Sequence, residues 1–336
     1  AAGLAVFYGP FVFFEGEFLP PVLAILLNLL ALLSLLWAGE GRSRWLLLPG
    51  LLFGLSALCI ANILLFVPAV AWWLVWSRKD LPTRQRLLRL APFLLGVVLA
   101  VAPVTLRNYL VGDDLVLLSS NAGLNFYIGN NARYHETVAI QPGPAWLDLT
   151  NRPRVEAGVQ KPSAQSHFFF AQSWDFFRNQ PAVFLKLQFY KLYLFWNGDE
   201  IGRNQGLYFA RQYSSLLQIL LWKYGLAFPF GLLAPLALMG IALGWRRGIL
   251  HRPGFLLLGL FAATYMLSVV AFFISARYRL PVIPPLLLFA SFGGWELYEL
   301  WRQRAYRGLL AGCGVAVALL VVCNWGGGAM DQISYV

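Results

Sequence analysis

The chain has 336 residues, of which 59% are apolar and 12% charged, with 13 Trp, 14 Tyr and a formal net charge of +11. An ordinary soluble domain is about 45–50% apolar and about 25% charged, so this composition excludes a water-soluble globular enzyme, a disordered chain and a small disulfide scaffold. The surplus of Lys and Arg fits the cytoplasmic loops of a polytopic membrane protein, and no compact basic domain exists to carry nucleic-acid binding.

In chain order, residues 1–14 carry neither an initiating Met nor a basic n-region. They read as the end of a membrane helix rather than as a signal peptide, and the chain as part or a processed form of something longer. The turn Phe14-Glu15-Gly16-Glu17-Phe18 then leads to Pro20-Pro21. Apolar runs follow at 21–37, 45–76, 90–106, 225–245, 254–274, 282–300 and 308–324. A span needs about 20 apolar residues. The 45–76 run is too long for one span and short for two, and Asn62 near its middle marks a hairpin turn. Charge supports the hairpin. With 39–44 (Arg42, Arg44) on the cytoplasmic side, the returning arm delivers Arg78, Lys79, Arg84, Arg86 and Arg89 to that same side. Arg246, Arg247 and Arg252, and Arg302, Arg304 and Arg307, also fall inside. One short basic loop, 276–281 with Arg277 and Arg279, falls outside, as does the whole of 107–224.

These elements predict an all-α polytopic membrane protein of about eight to nine transmembrane helices. One mixed extracytoplasmic segment separates the first four or five spans from the last four. The expected division is N-terminal membrane helices over 1–106, the outer segment over 107–224 and C-terminal membrane helices over 225–336. Within the outer segment, 119–131 reads as a loop rich in Asn, Ser and Gly, and 141–162 is punctuated by Pro and Gly. Helices are predicted over 163–178 and 181–196. The second carries Phe184, Leu187, Tyr190, Lys191 and Leu194 at helical spacing, and is expected to lie along the membrane surface with Lys186 and Lys191 near lipid head groups.

The residues able to do chemistry gather on the outer side. Glu15 and Glu17 sit at a helix end, where a carboxylate is costly and is a candidate general base or simply a solvated interface pair. Arg277-Tyr278-Arg279 breaks the orientation rule at head-group depth, where paired guanidinium groups suit a lipid-linked phosphate. Arg107 ends a span on the same side, as a third phosphate ligand or a snorkelling anchor, and Asn108 beside it can donate to a sugar hydroxyl. Asn121, Asn125, Tyr127 and Asn130 place amides around aromatics, a pattern that binds sugars and also makes turns. Cys59, Cys313 and Cys323, and His135, His167 and His251, show no metal-ligand spacing. No P-loop or HExxH pattern occurs, so neither a cofactor nor a metal follows from the residues.

Three stretches together resemble the membrane glycosyltransferases of the GT-C superfamily, near the bacterial relatives of protein O-mannosyltransferases and the lipid A aminoarabinose transferase. They are Tyr8-Gly9-Pro10 leading into Phe14-Glu15-Gly16-Glu17; Arg107-Asn108-Tyr109 running through Gly112-Asp113 to Ser119-Ser120-Asn121-Ala122-Gly123-Leu124-Asn125-Phe126-Tyr127-Ile128-Gly129-Asn130-Asn131; and Arg277-Tyr278-Arg279-Leu280-Pro281 with Pro284. The resemblance implies transfer of a sugar, with inversion, from a polyprenyl-phosphate carrier to a lipid, glycan or protein acceptor. The expected site is the outer face of a bacterial inner membrane. It implies catalytic Glu17 and Glu15, donor-phosphate ligands Arg277, Arg279 and Arg107, and sugar or acceptor contacts from Asn108, Asn121, Asn125, Tyr127, Asn130 and Tyr278. The family's principal catalytic Asp lies in a first outer loop that this chain does not contain. The resemblance therefore makes Glu17 a secondary acidic residue and the isolated chain inactive. The segment 57–62 also lacks an Arg often seen in relatives. The alternative readings are a transporter or flippase for a lipid-linked saccharide, or a non-catalytic subunit that binds one. A transporter favours midplane charges and inverted repeats, and neither is visible here.

Overall fold

The structure, a computed structural model, describes residues 1–40, 43–203 and 206–326. Arg42 lies outside the described residues. Helices dominate. The strands among the described residues are Trp222–Lys223 and Ala227–Phe228, paired antiparallel. Five helices are long and apolar enough to cross a membrane: Pro20–Ala38, Thr83–Gly112, Pro253–Ala271, Ala276–Arg302 and Tyr306–Asn324. Ser43–Cys59, Ala61–Trp76 and Phe230–Arg246 are shorter apolar helices. This is the architecture of an all-α membrane protein.

The chain packs as two compact units that cut across the three segments expected from sequence. One comprises Pro20–Lys191 with Leu267–Phe273; the other comprises Ala1–Leu19, Leu192–Met266 and the residues from Ile274 onward.

In the first unit, small and polar residues are buried beside large apolar ones such as Leu32 and Leu35, while many leucines face outward. The Pro20–Glu40 helix buries Ala24, Asn28, Ala31 and Ala38 and exposes Leu23, Leu26, Leu30 and Leu33. Small and polar residues line helix contacts in a bilayer because lipid already solvates leucine. Asn28 accepts a 2.7 Å hydrogen bond from Ser56 across that contact. The Leu47–Cys59 and Leu90–Gly112 helices lie so close that a Cβ on Gly50 would fall 2.0 Å from the Phe93 carbonyl oxygen, and one on Gly96 would fall 2.3 Å from that of Leu47. Gly54 meets Val97 and Ala100 further along, so the two helices run parallel. The chain must therefore reverse between them. It does so at Ile60, whose extended backbone (φ −143°) parts Leu47–Cys59 from the 3-10 turn Ala61–Phe66. Phe53 and Phe66 stack edge-on across the reversal at 5.5 Å. Parallel packing puts Arg44 and the basic stretch 77–89 at the same end of this unit.

Several sequence expectations need correcting. Residues 1–14 form two short helices, Ala2–Val6 and Gly9–Gly16, parted at Phe7 and Tyr8. The 119–131 stretch is not a loop: Ala122–Gly129 is a helix. Its glycines serve packing, since a Cβ on Gly129 would fall 1.7 Å from the Phe272 carbonyl oxygen. The 141–162 stretch likewise contains the helix Pro144–Ala157, begun by Pro144 at its first turn and ended by Gly158 in the left-handed region (φ 65°). Proline at a helix start and glycine just past its end mark the two boundaries of a helix.

Candidate anion-binding site

In the second unit, the stretch after the Pro253–Ala271 helix turns at extended Ser275 into the one-turn helix Ala276–Arg279. The Ala276 N–H donates to the Ile201 carbonyl at 2.8 Å, tying this turn to the loop after Pro181–Trp196. Side chains two apart on a helix do not face each other. Arg277 and Arg279 accordingly have opposite fates.

Arg279 points inward and is 1% exposed. Its Nη1 donates to the carbonyls of Phe195 (3.2 Å) and Asn197 (2.7 Å), and its Nη2 to the Asp199 carbonyl (2.9 Å) and Glu200 Oε2 (2.7 Å). The guanidinium also lies 3.6 Å from the centre of the Phe230 ring. It thus caps carbonyls left open at a helix C-terminus, where a cation also suits the helix dipole. Glu200 is 3% exposed, and its Oε1 accepts from the Tyr8 hydroxyl at 3.0 Å. The expected phosphate role for Arg279 is corrected on this geometry: its charge is spent inside the protein.

Arg277 points the other way and is half-buried. Its guanidinium donates to the Tyr278 hydroxyl at 3.1 Å and sits 4.9 Å from that ring's centre. Among the described residues no carboxylate pairs with it. Arg203 is close by: burial pushes its pKa down, the Tyr278 hydroxyl opposes this, and the positive charge of Arg277 adds to the depression. The charge of Arg277 and the hydroxyl of Tyr278 both act on Arg203, and an anion held at Arg277 would offset that repulsion.

Glu15 and Glu17 do not join this cluster. Both are exposed, and neither has a hydrogen bond or ion pair among the described residues. The next residue, Phe18, is 96% exposed in the left-handed region (φ 49°), so the turn projects outward. The carboxylate that meets an arginine here is Glu200, not Glu17.

The remaining expected residues belong to the other unit. Arg107, Asn108 and Asn121 line one polar cavity of about 280 Å³ with Asp114, Ser119 and Ser120. Arg107 and Asn121 are exposed. Asn108 is instead tied to its own turn, donating to the Val116 and Leu118 carbonyls at 3.0 and 3.4 Å. Asp114 accepts from the Ser163 N–H at 2.7 Å, capping the Pro162–Asn179 helix, and bonding from Ser163 holds its carboxyl below the usual range. Asn125 is half-buried on the Ala122–Gly129 helix. Tyr127 and Asn130 are corrected from ligand contacts to scaffold. The Tyr127 hydroxyl accepts from Arg152 at 2.9 Å, and Asn130 is sealed, donating to the Phe126 and Ala271 carbonyls.

Asn130 helps hold a second buried cation. Lys191, expected near lipid head groups, is 0% exposed. Its Nζ donates to the Gly129 carbonyl (3.0 Å), Asn130 Oδ1 (2.9 Å) and the Phe272 carbonyl (3.0 Å). Burial lowers its pKa to about 7.

Sequence reasoning missed Glu200, Tyr8 and Arg203 as partners. The one local signal was Asn197-Gly198-Asp199-Glu200, a polar break directly after an apolar helix. Among the described residues no group of three or more His, Cys, Asp or Glu is placed to hold a metal. No family model, curated protein or solved structure matches this chain.

Proposed function

We propose that this integral membrane protein binds a polyprenyl-phosphate-linked sugar and belongs to the transfer of that sugar to a lipid, glycan or protein acceptor. The active face would be extracytoplasmic, in a bacterial inner membrane. The observation that carries the reading is half-buried Arg277, which donates to Tyr278 and meets no carboxylate among the described residues, with the charge of Arg203 acting in its neighbourhood. A phosphate diester leaving as a monoester gains negative charge, which such groups stabilise. The basic residues gathered at one end of the first unit support the assignment of that end to the cytoplasm. Glu15 and Glu17 stay exposed acidic residues without an assigned step, and the base that takes the acceptor's proton is not assigned to a described residue.

The test is affinity for polyprenyl phosphate in detergent. A charge-assisted contact is worth about 1.5–3 kcal/mol, so Arg277→Ala should weaken binding about 10- to 150-fold. Arg277→Lys should restore part of it, because an ammonium cannot make the two-pronged contact. Unchanged affinity in a folded Arg277→Ala protein would overturn the reading. Release of polyprenyl phosphate from the sugar-bearing donor, assayed with acceptor lipids, separates a transferase from a binding subunit.

A further inference from the structure

The helices Pro162–Asn179 and Pro181–Trp196 flank a cavity of about 560 Å³ that is separate from both sites above. The rings of Phe126, Phe170, Trp174, Phe177 and Phe184 wall it. Phe126 packs 5.3 Å from Phe170, and Phe177 packs 5.1 Å from both Trp174 and Phe184. Phe170 and Trp174 nevertheless remain 37% and 57% exposed. The volume falls within the range of about 300–1,000 Å³ common for small-molecule sites.

Ser173 also lines this cavity. It is 1% exposed, and its hydroxyl has no hydrogen-bond partner among the described residues. A helical serine ordinarily bonds back to a carbonyl one turn earlier, and a buried hydroxyl without a partner costs about 1–3 kcal/mol. A ligand oxygen would satisfy it. Two polar side chains, buried Ser173 and exposed His167, in an otherwise apolar wall select the ligand. A sugar carries many hydroxyls, each needing a partner, so this wall would strand most of them. A hydrocarbon chain bearing a single carbonyl fits. Arg178 lies one turn beyond Trp174 on the same helix face, exposed and without a partner among the described residues. It can meet an anionic head group. On the following helix the exposed Val183, Leu185 and Phe189 extend the apolar surface, as a segment lying against a bilayer requires.

We infer that this cavity holds an acyl chain of an anionic glycerolipid, with the ester carbonyl on the Ser173 hydroxyl and the head group at Arg178. The bound lipid seats the two helices on the membrane surface. This inference does not depend on the reading of Arg277.

The experiment uses the full chain in lipid nanodiscs with phosphatidylglycerol carrying a photoreactive acyl chain, and cross-links are mapped by peptide mass spectrometry. Cross-links should concentrate in peptides covering 126 and 167–184, and unlabelled phosphatidylglycerol should compete. Ala171 is exposed on the cavity wall, so Ala171→Trp fills the space without touching the core and should reduce labelling at least about 10-fold. Ser173→Ala should reduce it about 2- to 10-fold, the worth of one hydrogen bond. Arg178→Gln should reduce labelling by phosphatidylglycerol but not by phosphatidylcholine of the same chain. Labelling unaffected by Ala171→Trp, or spread evenly over the membrane helices, would overturn the inference. So would competition by polyprenyl phosphate but not by phosphatidylglycerol, which would reassign the cavity to an isoprenoid.

Discussion

Arg279 and Lys191 are both sealed from water, one in each compact unit, and each unit stabilises its cation differently. Arg279 meets a carboxylate, Glu200, and three main-chain carbonyls. Lys191 meets neutral oxygens only, two carbonyls and the Asn130 amide. The first cation is neutralised at any pH where Glu200 is ionised, and a guanidinium does not deprotonate in practice. The second keeps its charge only at the expense of burial, which is why its pKa falls to about 7. A compensated charge makes a permanent brace, whereas an uncompensated one is a brace that loosens or tightens with pH. The same distinction separates Arg279 from Arg277 two residues earlier: the first is paired with a carboxylate, and the second has none among the described residues.

The largest expected effect comes from breaking the compensated pair. Glu200→Ala leaves Arg279 buried without its counter-charge, which costs about 3–5 kcal/mol. A thermal melt in detergent should show a large drop, and an unchanged melt would mean the pair is not closed. Tyr8→Phe removes the hydroxyl that Glu200 Oε1 accepts, a charge-assisted bond worth about 1.5–3 kcal/mol, and should lower the same melt by less.

Lys191 sharpens the contrast through pH. Its folded pKa of about 7 lies below the ordinary lysine value of about 10.4. Between those values the unfolded chain holds a proton that the folded chain lacks. Stability should therefore rise with pH from about 7 to 10, by up to about 1.4 kcal/mol per unit, and Lys191 should add no slope below that window. Lys191→Met should remove the slope, and the same slope in the variant would assign it to another group. The smallest effect is expected at Lys161–Asp113, a 2.9 Å pair with both side chains mostly exposed. Lys161→Ala should leave the melt unchanged, because exposed pairs contribute little.

The membrane helices were legible in the sequence because a bilayer demands long apolar runs and imposes few other rules. A chain reversal between the Leu47–Cys59 and Leu90–Gly112 helices was expected from run length and Asn62, with the charge of the 77–89 loop in support. The Ala122–Gly129 helix was not, because Asn and Gly signal turns locally, while here Gly129 exists to let a distant carbonyl approach. The pairing of Arg279 with Glu200 was also hidden. The two are 79 residues apart, and no local pattern says which carboxylate an arginine will meet. Lys191 was misread for a related reason: helical spacing identifies a face but not what covers it. Arg277 stood out in the sequence as a basic residue in a short loop that the orientation reading would place outside, an expectation apart from its half-buried position here.

The most direct test compares Arg277→Ala with Arg279→Ala, measuring thermal stability with and without polyprenyl phosphate. A ligand that binds the folded state raises stability as its concentration exceeds its dissociation constant. Arg277→Ala should melt like the parent protein without ligand and lose most of the ligand-induced rise. Arg279→Ala should melt far lower without ligand. A ligand-induced rise as large in Arg277→Ala as in the parent protein would contradict the division of roles between the two arginines.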